Sequence, residues 1–226
     1  MSTRIESAFL FDLDGTLIDS VYQHVLSWKE ALDAEGIELS VWRIHRKIGM
    51  SGGLFTNQLL RETGVEISQE KVERLRQRHA EAYRRYAESV RPLPGARELL
   101  SWLTDAHIPW AIATSGRMAT ACLNLGSLGV DTERVPVITR DMVRYGKPDP
   151  DLFIAAAEKL GMSIGTAVVV GDSIWDMLAA IRGRALGVGL LSGGYGADEL
   201  RKAGAIRVYD DPADLLLHID EVGGRR

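Results

Sequence analysis

Cysteine is nearly absent from this chain of 226 residues, which excludes a fold held together by disulfides. Cys122 is the single cysteine, so no intramolecular disulfide can form. A lone thiol is typical of proteins from a reducing compartment. The amino-terminal stretch MSTRIES carries one arginine and no long apolar run behind it. We therefore expect no secretory signal and a cytoplasmic location.

Long apolar runs and an excess of one charge are also lacking. No stretch approaches the roughly 20 apolar residues that cross a bilayer, so we expect no membrane partner. Lys and Arg number 27 against 31 Asp and Glu, a formal net charge of -4. That balance gives no support for a nucleic-acid partner. The length and the 46% of hydrophobic residues are sufficient for a substantial buried core.

The chain does contain a series of short apolar runs, several of which end in a polar residue or a glycine. Continuous apolar character is typical of strands buried on both faces of a parallel sheet. From residue 95 onward helical patterns alternate with these runs, which indicates right-handed βαβ units and a doubly wound α/β sheet. The predicted strands are 8–11, 109–114, 135–138, 167–171, 185–191 and 205–209, and the predicted helices are 95–106, 117–127, 150–160, 174–183, 196–203 and 212–219.

A segment after the first predicted strand interrupts this alternation. It is helical in pattern nearly throughout and contains no convincing strand. Gly36 and Gly64 are predicted to end two of its helices, and Ser68 to cap another. The segment is therefore interpreted as an inserted α-helical cap domain. The predicted domains are a core formed by 1–18 and 91–226 and a helical domain formed by 19–90.

The stretch FLFDLDGTLIDS places two aspartates where the first strand ends. Side chains alternate along a strand, so Asp12 and Asp14 are expected to project to the same side, and Gly15 allows a sharp turn beyond them. Ligands of open α/β sheets bind at the carboxyl ends of the strands. Two neighbouring carboxylates there suit a nucleophile and a general acid/base with a divalent cation between them. The alternative is a plain turn that Asp12 caps.

Polar groups also follow two later strands. Thr114, Ser115 and Gly116 offer hydroxyl and backbone N–H groups that suit an anion, although Ser and Thr are also ordinary helix caps. Asp172 and Asp176 follow another buried strand, one helical turn apart. Aspartates in that position indicate a hard cation with oxygen ligands, hence Mg²⁺.

A lysine lies just before a predicted helix in YGKPDPDLF. Asp149 is interpreted as the N-cap of that helix and Pro150 as its first residue. Capping does not explain Lys147, because the helix macrodipole disfavours a cation at this end. A phosphate held between the lysine and the helix amides would account for it.

The segments DLDGT, TS, GKPDPD and GDSIWD, in that order, resemble the four motifs of the haloacid dehalogenase-like hydrolase superfamily. The helical insert between the first and second motifs is similar to that of the phosphoglycolate phosphatase and β-phosphoglucomutase branch. The resemblance implies a Rossmann-like core with a mobile helical cap. It also implies a Mg²⁺-dependent phosphatase that acts on a small phosphate ester through an aspartyl-phosphate intermediate.

The resemblance implies roles for particular residues. Asp12 would be the nucleophile, Asp14 the general acid/base and Thr114 a ligand of the transferring phosphoryl group. Lys147 would offset the charge of the nucleophile and the phosphate. Mg²⁺ would be bound by Asp12, the backbone carbonyl of Asp14 and Asp172, with Asp176 in support. The residues predicted to contact the substrate are His24, Gly52, Ser115 and Gly116.

A phosphomutase is the main alternative function. YQHVLSWK resembles the mutase branch, in which the residue at His24 assists the acid/base aspartate. Ile48 and Gly52 stand where the mutase has a lysine and an arginine for a second phosphate, which favours hydrolysis. A non-catalytic binding module is a third reading, opposed by the many charges at strand ends. The substrate stays open between glycolate phosphate, a sugar phosphate and a nucleotide, and both a monomer and a homodimer stay possible.

Overall fold

A parallel sheet of six strands lies at the centre of the structure, a computed structural model that describes residues 7–64 and 68–224. A separate pair of short strands forms a second, two-stranded sheet. The strands of the described chain are β1 (Ala8–Phe11), β2 (Ile18–Asp19), β3 (Arg91–Pro92), β4 (Trp110–Ala113), β5 (Val137–Ile138), β6 (Ala167–Gly171), β7 (Leu186–Leu190) and β8 (Ala205–Tyr209).

The spatial order of the large sheet is β5-β4-β1-β6-β7-β8, with every pair parallel. Strand β1 is central, with Phe9 opposite Trp110 on one side and Phe11 opposite Val170 on the other. All six predicted core strands are confirmed. The chain fills one side of β1 first and then crosses to the other. A crevice for a ligand is expected where the strand order reverses in this way, at the carboxyl end of β1.

Helices cover both faces of this sheet, and the six predicted in the core are found with their ends within two residues. They bury alternate side chains of β1: Phe9 and Phe11 belong to one apolar cluster, and Ala8 and Leu10 to the other. The helices of the described chain are α1 (Val21–Ala34), α2 (Val41–His45), α3 (Gly52–Thr63), α4 (Gln69–Ala87), α5 (Ala96–Asp105), α6 (Met118–Leu128), α7 (Asp151–Lys159), α8 (Ile174–Gly183), α9 (Ala197–Ala203) and α10 (Pro212–Leu217).

Helices α1 to α4 follow one another without an intervening strand and share an apolar cluster of their own. Val25, Leu32 and Phe55 are among its buried members. The predicted cap of α4 is confirmed, since Ser68 Oγ accepts from the backbone N–H of Lys71 at 3.3 Å. None of the helices in the described residues is both long and apolar enough to cross a bilayer. The division of the chain into two domains stays a prediction.

Two local features differ from the sequence analysis. Two short strands at the ends of the helical insert were not predicted: β2 pairs with β3 in antiparallel fashion, with Ile18 opposite Pro92. Strands of two residues are too short to give a periodic pattern. The helix after Lys147 begins at Asp151 with Pro150 as its N-cap, and Asp149 does not cap it. The Asp149 carboxylate instead accepts from Arg182 Nη1 at 2.9 Å.

Candidate active site

Three carboxylates from two neighbouring strand ends form a buried cluster. Asp12 follows β1, and Asp172 and Asp176 follow β6. One carboxylate oxygen from each lies within 4.8 Å of the others, and all three residues are buried. The parallel register of β1 and β6 brings them together, since the backbone N–H of Asp12 donates to Val170 O at 2.9 Å.

One lysine lies against this cluster. Lys147, which is fully buried, forms ion pairs with Asp12 Oδ1 and, at 2.7 Å, with Asp176 Oδ1. Its ammonium nitrogen also lies 4.8 Å from the centre of the Phe153 ring. These ion pairs account for a cation beside the start of a helix, where the helix macrodipole disfavours positive charge. One ammonium against three carboxylates leaves the cluster with an excess of negative charge when all are ionised.

The pKa shifts of these groups follow from burial and from that excess charge. Burial raises the pKa of Asp12 to about 7, against the attraction of Lys147. Burial also raises the pKa of Asp172 well above its usual range, and the neighbouring charges of Asp176 and Asp12 raise it further. The pKa of Lys147 is raised despite its burial, because both carboxylates favour its charged form. Buried oxygen donors that repel one another in this way fit a hard divalent cation such as Mg²⁺.

Two side chains around the cluster were not predicted from the sequence. Thr16 Oγ1 donates to Asp172 Oδ1 at 2.9 Å, and Ser173 Oγ donates to Asp176 Oδ2 at 2.6 Å. Asp176 also completes the capping box of α8, so it has a structural task in addition to its place in the cluster. Gly15 has a φ of +87°, and a Cβ atom there would lie 2.6 Å from Asp172 Oδ2. The predicted turn at Gly15 is thus confirmed, and its close approach to Asp172 requires glycine.

The Asp14 carboxylate does not belong to the acidic cluster and is surrounded by a set of donors. Its Oδ1 accepts from Ser20 Oγ at 2.6 Å, from Asn124 Nδ2 at 2.8 Å and from His24 Nε2 at 3.2 Å. Burial favours a higher pKa for Asp14, but the charge and hydrogen bond of His24 and the hydroxyl of Ser20 lower it below the usual value. The predicted metal-ligand role of the Asp14 backbone carbonyl stays a prediction.

Helix α4 supplies the partners of two of these donors. His79 Nε2 lies 3.1 Å from His24 Nδ1, and the Tyr83 hydroxyl donates to Asn124 Oδ1 at 2.9 Å. The Tyr83 ring also stacks on His24, with centroids 3.9 Å apart. The structure therefore places His24 against Asp14, as the resemblance to the mutase branch implies, and also in the lining of the cavity. In the sequence, the four-residue spacing of His79 and Tyr83, which places both on one face of a helix, is the pattern that could have indicated their contact with His24.

Thr114 and Ser115, the hydroxyl residues of the predicted anion site after β4, lie in different environments. Thr114 is buried, and its Oγ1 accepts from the backbone N–H of Gly116 at 2.9 Å. A Cβ atom at Gly116 would lie 3.2 Å from that oxygen and 3.8 Å from Asp14 Oδ2, so this turn lies close to the Asp14 carboxylate. The hydroxyl of Ser115 instead donates to Gly49 O at 2.8 Å and joins the helical insert to the sheet.

Further contacts hold the loop between α2 and α3 over the strand ends. The backbone N–H of Ser51 donates to Lys147 O at 2.9 Å, and Tyr195 OH donates to Arg46 O at 3.0 Å. His45 Nε2 lies 2.8 Å from Gly193 O. Gly52, predicted to contact the substrate, is the first residue of α3. Its surroundings lie outside what the structure describes, so its role stays a prediction.

A cavity of about 730 Å³ lies between these strand ends and the helical insert. Asp12, Asp14 and Thr114 line it on the side of the sheet. On the opposite side the lining comes mainly from apolar side chains of α1, α3 and α4, with Trp28 and Phe55 among them. Asp12 and Asp14 therefore line one side of the cavity, and a largely apolar wall lines the other.

Comparison with known proteins identifies the class to which this site belongs. The family profile of the haloacid dehalogenase-like hydrolases matches residues 6–184. The chain is 34% identical over 175 residues to hexitol phosphatase A of Escherichia coli, covering 76% of this chain and 77% of that protein. It is 30% identical over 212 residues to a phosphoglycolate phosphatase of Caulobacter vibrioides, covering 92% and 85% respectively.

A solved structure extends the similarity to the whole fold. A hydrolase from Pseudomonas syringae superposes with a TM-score of 0.95 at 59% identity, covering 96% of this chain and 100% of that one. The chain belongs to the haloacid dehalogenase-like hydrolase family.

Proposed function

We propose that this protein is a Mg²⁺-dependent phosphatase that hydrolyses a small phosphorylated metabolite through an aspartyl phosphate on Asp12. The observation that carries the proposal is the buried group of Asp12, Lys147 and the two aspartates after β6, of which Asp12 lines a ligand-sized cavity. The phosphatase names of the relatives support the same reaction class.

In the first step a carboxylate oxygen of Asp12 attacks phosphorus, and the bond from phosphorus to the alcohol oxygen breaks. Lys147 favours the ionised form of Asp12 and so opposes the burial that raises the pKa of this carboxyl to about 7. The hydroxyl of Thr114 and the backbone N–H groups after β4 are suited to hold phosphoryl oxygens. Bound Mg²⁺ would supply further positive charge at the developing oxyanion. Asp12, Asp172 and the Asp14 carbonyl would hold that ion, with Asp176 in support.

Asp14 transfers the proton in both steps. A phosphate dianion beside Asp14 raises its proton affinity, since like charges disfavour the ionised carboxylate. The protonated carboxyl then gives its proton to the leaving alkoxide. In the second step the same carboxylate takes a proton from water, which attacks phosphorus and releases Asp12. Because the described donors of Asp14 all engage Oδ1, Oδ2 is the oxygen free to face the substrate.

The helical insert would act as a cap that admits substrate when it opens and excludes water when it closes. Residues 18–20 and 89–94 are the proposed hinges, and the two-residue strands β2 and β3 lie within them. The hydrogen bonds from Ser51 and Ser115 across to the opposite side correspond to the closed arrangement. We place the enzyme in the cytoplasm, where a free thiol such as the exposed Cys122 is kept reduced.

The phosphomutase alternative requires a second cationic subsite for the other phosphate. Ile48, at the position where the mutase branch has a lysine, lines the cavity and packs against the apolar cluster of α1 to α4. Hydrolysis is therefore the reaction that this wall supports.

The deciding experiment is inorganic phosphate release from a panel of phosphate monoesters, with Mg²⁺ and with chelator. Asp12→Asn keeps the shape of the side chain and removes the nucleophile, and we expect it to abolish release. Glu30→Asn, at an exposed position outside the cavity, is the control and should retain wild-type rates. Normal hydrolysis by Asp12→Asn would refute the mechanism. Isomerised products from a hexose 1-phosphate without phosphate release would favour the mutase.

A further inference from the structure

The cavity is larger, and its far wall more apolar, than a two-carbon substrate needs. At about 730 Å³ it falls within the range of roughly 300–1,000 Å³ that is typical of pockets for drug-sized ligands. The half-buried Trp28 ring forms part of the wall, with the Phe55 ring 4.5 Å and the His79 ring 4.2 Å away between centroids. Leu59 and Leu75 line the same side.

The cations of the described cavity wall already have partners. Lys47, with 4% exposure, is the buried one, and its Nζ donates to Glu62 Oε1 at 2.6 Å and to Arg43 O at 3.3 Å. The arginines of the wall engage an acidic side chain or carbonyl oxygens: Arg76 with Glu73, Arg117 with Asp141, and Arg140 with the carbonyls of Val143 and Arg144.

A second anionic group on the substrate would therefore compete with these partners for the cations, most directly with Glu62 for the buried Lys47. It would also lose hydration against the Phe55 ring, which offers no hydrogen bond to a carboxylate, and against Trp28, which has a single indole N–H to offer in return. An uncharged leaving group meets neither cost. If it carries an apolar or aromatic face, burying that face against the wall adds favourable binding.

On this basis, and resting on the phosphatase function proposed above, we infer the substrate class. The substrate is a phosphate monoester of an uncharged alcohol with an apolar or aromatic face, and the Lys47–Glu62 pair selects against a leaving group that carries a second negative charge.

Two phosphate esters of primary alcohols distinguish an uncharged from an anionic leaving group. Their intrinsic reactivities are similar. 2-Phenylethyl phosphate has an uncharged aromatic leaving group, and 2-phosphoglycolate has an anionic one. We expect kcat/KM for 2-phenylethyl phosphate to exceed that for 2-phosphoglycolate by about tenfold or more, as burial of a ring implies. A preference for 2-phosphoglycolate would overturn the inference.

Variants then identify the residues responsible. Glu62→Gln removes the charge that engages Lys47, so we expect the preference to shift toward 2-phosphoglycolate by about fivefold, the effect of one charged hydrogen bond. Glu30→Gln breaks a comparable pair with Arg85 outside the cavity and should leave the ratio unchanged. Trp28→Ala should reduce the preference for the aromatic ester. If Glu62→Gln leaves the ratio of the two kcat/KM values unchanged, the Lys47–Glu62 pair does not contribute to substrate selection.

A binding measurement keeps this test independent of turnover. 3-Phenylpropylphosphonate and 3-phosphonopropionate replace the bridging oxygen of the two esters by carbon, so neither can be hydrolysed. Calorimetry with the wild-type protein should show tighter binding of the phenyl compound, and equal or reversed affinities would contradict the substrate class. If no ester is hydrolysed while this preference holds, the proposed phosphatase function fails and the inference about the cavity stands.

Discussion

Replacing Asp172 by asparagine tests the proposed metal site through the stability of the protein. In the absence of a metal ion, Lys147 is, among the residues the structure describes, the cation that balances the three buried carboxylates. Asparagine preserves the shape of the side chain and can still accept from Thr16 Oγ1. The variant therefore removes one negative charge while it retains the surrounding hydrogen bond.

The magnitude follows from the separation of the charges. At 4.8 Å and an effective dielectric constant of about 20, each pair of ionised carboxylates repels by about 3 kcal/mol. Asp172 belongs to two such pairs, but its raised pKa means that proton uptake already relieves part of the repulsion. We expect metal-free Asp172→Asn to be more stable than the wild type by about 2 kcal/mol, a rise in Tm of about 4–8 °C for a chain of this length.

Thermal unfolding with chelator and with Mg²⁺ measures both effects. Mg²⁺ at 100 times its Kd should stabilise the wild type by about 2.7 kcal/mol, because it binds the folded state alone. Asp172→Asn should lose most of that response. Asp210→Asn, at an exposed turn, is the control and should behave as the wild type. A variant that is less stable in chelator and keeps the full response to Mg²⁺ would refute both the repulsion and the metal site.

Other predictions concern Asp14, Asp12 and the cap. Asn124→Ala removes a hydrogen bond to the Asp14 carboxylate, so steady-state kinetics should show kcat lowered by about tenfold, and an unchanged kcat would contradict this. The pKa of Asp12 is about 7 in the folded state against 3.8 for the unfolded chain, so this group should lower metal-free stability by about 3 kcal/mol as pH rises from 4 to 7. Urea unfolding measures this slope, which Asp12→Asn should reduce, while the raised pKa of Asp172 preserves part of it. Amide exchange at the proposed hinges, 18–20 and 89–94, should slow when a phosphate analogue is bound, and equal exchange would argue against hinge closure.

The core fold was largely predictable because its strands are continuously apolar. A strand buried on both faces, such as β1, needs apolar side chains at every position, and that pattern is visible without any tertiary information. The two-residue strands β2 and β3 were not predictable, since their pairing depends on contact between Ile18 and Pro92, which lie far apart in the chain. The start of α7 was displaced by one residue, and Asp149 contacts Arg182, 33 positions along the chain, instead of capping the helix.

The residues of the candidate site were likewise predictable only in part. Asp12, Thr114, Lys147 and Asp172 were predictable because each follows a strand or precedes a helix of a parallel sheet, where strand ends converge. The donors around Asp14 were not, apart from His24, because Asn124 is 110 positions away along the chain and its amide is directed by a tyrosine from another helix.

The sequence by itself determined the class of fold, the family resemblance and the aspartates and lysine at the strand ends, because local hydrophobic patterns and short motifs encode them. Only the tertiary structure decided which of these charges meet. It separated Asp14 from the other carboxylates, joined Lys147 to Asp12 and Asp176, and paired Lys47 with Glu62 in the cavity wall. Ion pairs and pKa values depend on distance and burial, which are properties of the packed chain rather than of any short segment.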